Sequence, residues 1–72
     1  MNDTRAVIAD CVVHFIASYW LHYGYAPSIR DVCEGCGLPS TSIVAYHLRR
    51  LEQAGRVERE PGLARTLRVR ES

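Results

Sequence analysis

Only three residues, Gly37 to Pro39, separate the second and third helical patterns of this chain. Two helices joined by so short a turn cross at a steep angle, which is the arrangement of a helix-turn-helix unit. A plain three-helix bundle can contain the same turn, so the turn alone leaves both architectures open. The segment that follows the third helix therefore decides between them.

Apolar residues at three- and four-residue spacing mark the helices, and each pattern stops at a glycine: Gly24, Gly37 or Gly55. Ser28 is predicted to cap the second helix, with Asp31 placed to complete a capping box, and Ser40 is predicted to cap the third. The predicted helices span about residues 4–23, 28–36 and 40–54.

Beyond Gly55 the period changes from that of a helix to that of a strand. Val57 lies between charged neighbours, and Leu67 and Val69 share one side of a second alternating run. Two such runs around the Pro-Gly turn predict a β-hairpin over about residues 56–70. The predicted fold class is mainly α with a small hairpin, a winged helix-turn-helix forming a single domain over residues 1–72.

The third helix has a buried side and an unusual outer side. Val44, Leu48 and Leu51 fall on one stripe, whereas the opposite face carries polar groups, Tyr46 and arginines, with no acidic residue in the first two turns. An ordinary solvated helix mixes both charge signs along its length. A face free of carboxylates favours contact with the major groove of DNA.

The charges are distributed unevenly along the chain. The net charge is only +1, but residues 47–72 hold seven arginines and four glutamates, and all nine basic residues are arginine. Arginine forms bidentate contacts with phosphates and with guanine edges. The interleaved glutamates are equally typical of a solvated surface, so charge alone does not decide the function.

Three segments together resemble the N-terminal DNA-binding domain of the LexA repressor family. They are "GYAPSIRDV" (Gly24–Val32), "GLPSTSIV" (Gly37–Val44) and "HLRRLEQAG" (His47–Gly55), in register and without gaps. The resemblance covers essentially the whole chain. It implies double-stranded DNA as the partner, no cofactor and the function of a transcriptional regulator, expected to be a repressor in a bacterial or phage-type cytoplasm, associated with the nucleoid.

The resemblance also implies which residues contact DNA. Ser40 and Ser42 match the polar residues that open the recognition helix of the family, whereas Ala45 and Tyr46 depart from its pattern, which leaves the target sequence open. The residues predicted to read bases are Ser40, Thr41, Ser42, Ile43, Ala45, Tyr46 and Arg49. Those predicted to contact phosphate, including the wing residues, are Ser28, Arg30, Arg59, Arg65 and Thr66.

LexA repressors carry a C-terminal self-cleaving protease domain that also dimerises them, and this chain ends at Ser72. We therefore expect no self-cleavage, and a weak or DNA-assisted homodimer would have to use this domain. Trp20, Tyr23 and Tyr25 are candidate interface residues, although such aromatics more often close the edge of a core.

The cysteines allow a second interpretation. Cys33 and Cys36 have a spacing that serves zinc and redox sites, and Cys11 and His14 on the first helix could complete a metal site. The three cysteines also lie on the apolar stripes of their helices, where a thiol packs as a small apolar group. The sequence favours packing, so the prediction is no metal.

The sequence shows no catalytic constellation of nucleophile and base, no paired carboxylates and no phosphate-binding glycine loop, so we predict no enzyme. No apolar run approaches the ~20 residues of a membrane span, and we expect no membrane contact. Two alternatives stay open: a winged-helix module that binds protein, and a cysteine-based metal or redox sensor.

Overall fold

The structure, a computed structural model, describes residues 4–60 and 66–70. Strands β1 and β2 pair antiparallel, with Val57 opposite Val69 and Glu58 opposite Arg68. Three helices with a two-stranded antiparallel sheet confirm the predicted fold class. The elements are α1 (Thr4–Tyr23), α2 (Ile29–Gly35), α3 (Thr41–Gln53), β1 (Val57–Glu58) and β2 (Arg68–Val69).

Helix α2 begins with the predicted capping box. The Asp31 N–H donates to the Ser28 hydroxyl at 3.0 Å, and the Ser28 N–H donates to the Asp31 carboxylate at 2.9 Å. The Tyr19 hydroxyl donates to the same carboxylate at 3.4 Å. The cap therefore satisfies free donors of α2 and also joins this helix to α1.

The prediction that Ser40 caps α3 is confirmed for its position in the chain. Ser40 occupies the N-cap position with extended backbone (φ −154°, ψ 154°), but its hydroxyl accepts no hydrogen bond from the described first turn. The backbone suits a cap, so the difference lies in the direction of the side chain. The Ser40 side chain is exposed and free to contact something other than its own helix.

The turn between α2 and α3 is held by the backbone. The Leu38 N–H donates to the Cys33 carbonyl at 2.9 Å, and the Cys33 thiol donates to the Leu38 carbonyl at 3.3 Å. Gly37 adopts a positive φ of 64°, which a side chain would disfavour. This glycine lets the chain reverse within the short connection that sets the angle between the two helices.

One core is formed by all of the elements. Val44 and Leu48 are fully buried and Leu51 is 4% exposed, which confirms the predicted inner stripe of α3. The other buried apolar residues are Val12, Ile16, Ala26, Val32, Cys33, Val57 and Leu67. Burial of these side chains supplies the main driving force for folding a chain of this size.

Two contacts fix the outer elements to α1. A Cβ added at Gly35 would overlap the ring of Phe15. Because glycine has no Cβ, α2 can lie closer to α1 than it could with any other residue at position 35. The Trp20 indole N–H donates to the Leu67 carbonyl at 2.8 Å and ties the start of β2 to the end of α1. The first helix is therefore in direct contact with both α2 and the hairpin.

The hairpin is shorter than its alternating sequence suggests. Outside the two ladder pairs, the Arg70 N–H donates to the Arg56 carbonyl at 2.9 Å, and the Glu60 N–H donates to the Thr66 hydroxyl at 2.8 Å. Towards the tip of the hairpin, this bond to the Thr66 side chain takes the place of backbone-to-backbone hydrogen bonds between the strands. The Pro-Gly turn and Arg65 lie outside the described residues.

The expectation that no segment is long and apolar enough to span a membrane is wrong for α1. By length and composition alone, this helix of 20 residues could cross a bilayer, because Arg5 and Asp10 are its only acidic or basic residues apart from histidine. In the fold, Val12 and Ile16 at its centre are fully buried against the other elements. Here α1 is therefore a core helix.

Candidate nucleic-acid interface

The outer face of α3 is uncovered in the described part of the chain. Ser42 and Arg49 are exposed, and Tyr46 retains 39% of its accessible surface. Ser40 and Thr41 are exposed at the beginning of the helix, while Ile43 and Ala45, on either side of the buried Val44, are half-buried. The seven predicted base-reading residues therefore lie together along the first three turns of one helix.

Arginines surround Tyr46 on this face. The Arg50 guanidinium lies 5.8 Å from the centre of the Tyr46 ring, a cation–π distance. The pKa of the Tyr46 hydroxyl is lowered, chiefly by a hydrogen bond from Arg5 and further by Arg50, against a small opposing effect of desolvation. Arg5 and Arg50 thus hold the phenol in place from two helices.

The two residues of α2 predicted to contact phosphate differ in their accessibility. The Ser28 hydroxyl is half-buried and is occupied by the capping box. The Arg30 side chain is 84% exposed, and its Nε lies 4.0 Å from a Glu34 carboxylate oxygen, a contact too solvated to restrain it. Arg30 is therefore the more available of the two.

The wing, which we define as the hairpin of β1 and β2, is attached to the end of α3 by an ion pair. Arg59 Nε lies 3.0 Å from Glu52 Oε1, with side-chain exposures of 39% and 31%. Thr66 is engaged with Glu60, whose N–H donates to the threonine hydroxyl. Arg59 is consequently held beside the end of α3, where its charge is shared with an acid.

Sequence comparison decides the family. The family described as "LexA DNA binding domain" matches residues 9–66, most of the chain. The chain belongs to this family.

Relatives of the LexA domain are repressors of greater length. The chain is 38% identical over 69 residues to a "LexA repressor" of Clostridium botulinum strain Hall, covering 96% of this chain and 34% of the relative. It is 41% identical over 58 residues to a "LexA repressor" of Carboxydothermus hydrogenoformans, with coverages of 81% and 28%. A "LexA repressor" of Roseiflexus sp. strain RS-1 is 37% identical over 59 residues, with coverages of 82% and 27%. The chain therefore spans about a third or less of these relatives.

The cysteines of this LexA domain differ from the predicted pattern. Cys33 is buried and Cys36 is half-buried, but Cys11 is exposed and does not belong to the buried side of α1. The prediction that Cys11 lies on the apolar stripe of α1 is therefore wrong, because the buried residues of this helix are the neighbouring Val12 and Ile16. Within residues 4–60 and 66–70, no group of three or more His, Cys, Asp or Glu side chains is arranged to hold a metal.

Sequence reasoning missed Arg5 as part of the LexA domain's outer surface. Arg50 follows Tyr46 by one helical turn, so a pattern search along α3 could have found their contact. No local signal indicates Arg5, because its approach to Tyr46 depends on how α1 packs against α3.

Proposed function

We propose that this domain binds double-stranded DNA sequence-specifically, inserts the first turns of α3 into the major groove, and represses transcription by occupying a promoter. The observation that carries the proposal is the exposed outer face of α3, with Ser42, Tyr46 and Arg49 available to base edges. Hydroxyl and guanidinium groups are donors and acceptors suited to that groove. The name shared by the relatives, "LexA repressor", supports repression as the outcome.

The same orientation on DNA, with α3 in the major groove, gives roles to the other predicted residues. Ser40 and Thr41, at the beginning of α3, would join in reading the bases, and Arg30, Arg59 and Arg65 would contact phosphates on either side. The domain, predicted to comprise residues 1–72, would act in the cytoplasm on nucleoid DNA.

The test is selection of bound duplexes from a random pool, with wild type, Tyr46→Ala and Arg30→Gln compared at two salt concentrations. We expect wild type to enrich one motif, Tyr46→Ala to enrich a changed motif, and Arg30→Gln to keep the motif with weaker binding to every duplex. An unenriched wild-type pool, or an affinity that does not respond to salt, would argue against the function.

We further propose that two copies associate weakly, or only on DNA, through the aromatic end of α1. Tyr23 and Tyr25 are 53% and 47% exposed and lie 5.9 Å apart between ring centres. Trp20 supports this surface less directly, because its indole is engaged by the Leu67 carbonyl. A monomer in sedimentation experiments together with one copy on an unsymmetrical selected site would contradict the association.

A further inference from the structure

A basic cleft lies between the first turns of α1 and the second half of α3. Its volume is about 370 Å³, and three arginines line it: Arg5 from α1, Arg50 from α3, and Arg56 from the segment after α3. Its apolar lining consists of Leu51 and three alanines, Ala6, Ala9 and Ala54. The small side chains leave room for a compact group to approach the guanidiniums closely.

One described carboxylate and one buried histidine lie beside the arginines of this cleft. Asp10 lies 3.3 Å from Arg56, but with side-chain exposures of 63% and 48% the pair is screened by solvent. His47, the other titratable group in the lining, is 4% exposed, and its pKa is lowered by burial and by the charges of Arg50 and Arg5. The pair of Arg56 with Asp10 is therefore weak enough for an anion to compete with the carboxylate.

The cleft is continuous with the face of α3 described above. Arg50 lies 5.8 Å from the centre of the Tyr46 ring, and Arg5 and Arg50 both lower the pKa of the phenol, which places both arginines close to it. The same two guanidiniums therefore border the cleft on one side and the exposed tyrosine on the other. An anion bound in the cleft would lie immediately beside whatever Tyr46 contacts.

We propose that Arg5, Arg50 and Arg56 form a binding site for one phosphate group of the DNA backbone, beside the base pair that Tyr46 contacts. This inference rests on the proposed function. Guanidinium groups bind phosphate oxygens through paired N–H donors, and the positive end of α1 adds to the attraction. Apart from the buried His47 imidazole, the described lining has no aromatic or amide side chain to bind a base, so the sugar-phosphate backbone is the part of DNA that fits the cleft.

The site would fix the register of α3 in the groove. A phosphate held beside Tyr46 sets the distance between that side chain and the base edges, although it carries no sequence information itself.

The test measures the salt dependence of DNA binding for wild type, Arg5→Gln and Arg50→Gln, on a selected duplex and on an unrelated one. The matched control is Arg68→Gln, an exposed arginine that pairs with Glu58 at the opposite end of α1. Each cleft variant should weaken binding to both duplexes and lower the slope of log K against log salt by about 0.9, while the control keeps the wild-type slope.

A second measurement reports the cleft directly. The pKa of His47, followed by NMR, should rise when the duplex binds, because a phosphate offsets the field of Arg50 and Arg5. Millimolar inorganic phosphate alone should cause a smaller rise in wild type and none in Arg50→Gln. His14, which is exposed on α1 and does not line the cleft, serves as the internal reference.

The outcomes separate the two proposals. A wild type without salt-sensitive DNA affinity removes the proposed function and this site with it. Salt-sensitive wild-type binding with unchanged slopes for Arg5→Gln and Arg50→Gln overturns the phosphate site alone. A His47 response to inorganic phosphate but not to duplex would likewise overturn the assignment to the DNA backbone.

Discussion

At the scale of single residues, His47 shows how folding changes the charge of a side chain. Its imidazole is buried on α3, and desolvation, followed by the charges of Arg50 and Arg5, lowers its pKa below the usual 6.5. The folded protein therefore binds this proton less readily than the unfolded chain does. By linkage, the stabilisation is complete above pH 6.5 and is lost as the pH falls from there through the lowered pKa.

We predict that the free energy of unfolding decreases between about pH 7 and pH 5, and that His47→Gln removes much of this decrease. The measurement is urea denaturation at a series of pH values, with His14→Gln, an exposed position on α1, as the control. An identical pH dependence in wild type and His47→Gln would show that other groups cause it.

The three cysteines should react at different rates. Cys11 is exposed, Cys33 is buried, and the pKa of the Cys36 thiol is raised to about 12 by burial and by the neighbouring Cys11 and Cys33 thiols. Because the thiolate is the reactive form, Cys36 should react slowly at neutral pH. We predict one fast thiol in alkylation followed by mass spectrometry, absent in Cys11→Ser, and three fast thiols in denaturant. A fast phase that survives in Cys11→Ser would contradict this order.

Residue-level prediction from sequence succeeded where the partners were close along the chain. The capping box of Ser28 and Asp31 depends on spacing alone, and it is present. Spacing also placed Ser40 correctly at the N-cap of α3, but spacing does not choose the direction of a side chain, and the Ser40 hydroxyl makes no cap hydrogen bond. Arg5 was missed because its neighbour Tyr46 is distant in sequence.

At the scale of elements, Gly35 controls how α2 packs. In the sequence it is only a weak helix former inside a short helix, yet in the fold a Cβ there would overlap the Phe15 ring. The contact between α1 and α2 therefore depends on the absence of a side chain, and no periodicity of apolar residues could have predicted it.

We predict that Gly35→Ala lowers the free energy of unfolding by about 1–3 kcal/mol despite the higher helix propensity of alanine, because the ring must move. Chemical denaturation is the measurement, with Glu34→Ala, the exposed neighbouring position, as the control. In the background of Phe15→Ala the same change should become neutral or stabilising. Equal losses in both backgrounds would contradict the steric explanation.

The hairpin illustrates what an alternating pattern can predict. It indicated two strands and a Pro-Gly turn, and β1 and β2 are present, but each has only two residues. The alternation of apolar and polar residues indicates which side chains face the core, here Val57 and Leu67. The length of the strands depends instead on how many backbone hydrogen bonds form between them. The bond from the Glu60 N–H to Thr66 shows that side chains take over towards the tip.

At the scale of the whole molecule, Trp20 connects the first helix to the last strand. Its indole N–H donates to the Leu67 carbonyl at 2.8 Å, and it is the sole tryptophan of the chain. We predict that Trp20→Phe costs about 1–3 kcal/mol, because the carbonyl loses its donor.

Hydrogen exchange in Trp20→Phe should show faster opening of β1 and β2, with α2 and α3 protected nearly as in wild type. The exposed substitution Leu21→Ala next to it provides the control. Uniformly faster exchange throughout all elements would instead indicate global destabilisation without a specific effect on the wing.

The overall order of elements was predictable because each boundary carries a local signal, such as Gly37 or Gly55. The basic cleft was not, because it exists only where α1 and α3 approach each other. A pattern of residues along the chain predicts which face of one helix is apolar or charged. It does not predict which faces of two different helices will lie next to each other and form a cleft.

Helix α3 has one side that is buried in the core and one side that is exposed. Val44 and Leu48 are fully buried and hold the fold together, while Ser42 and Arg49 are exposed and add nothing to the core. Mutations on the second side leave the hydrophobic core unchanged, since surface substitutions usually alter stability little. A library randomised at the exposed positions should therefore fold in nearly every variant, so that its members differ in what the outer face binds and not in their stability.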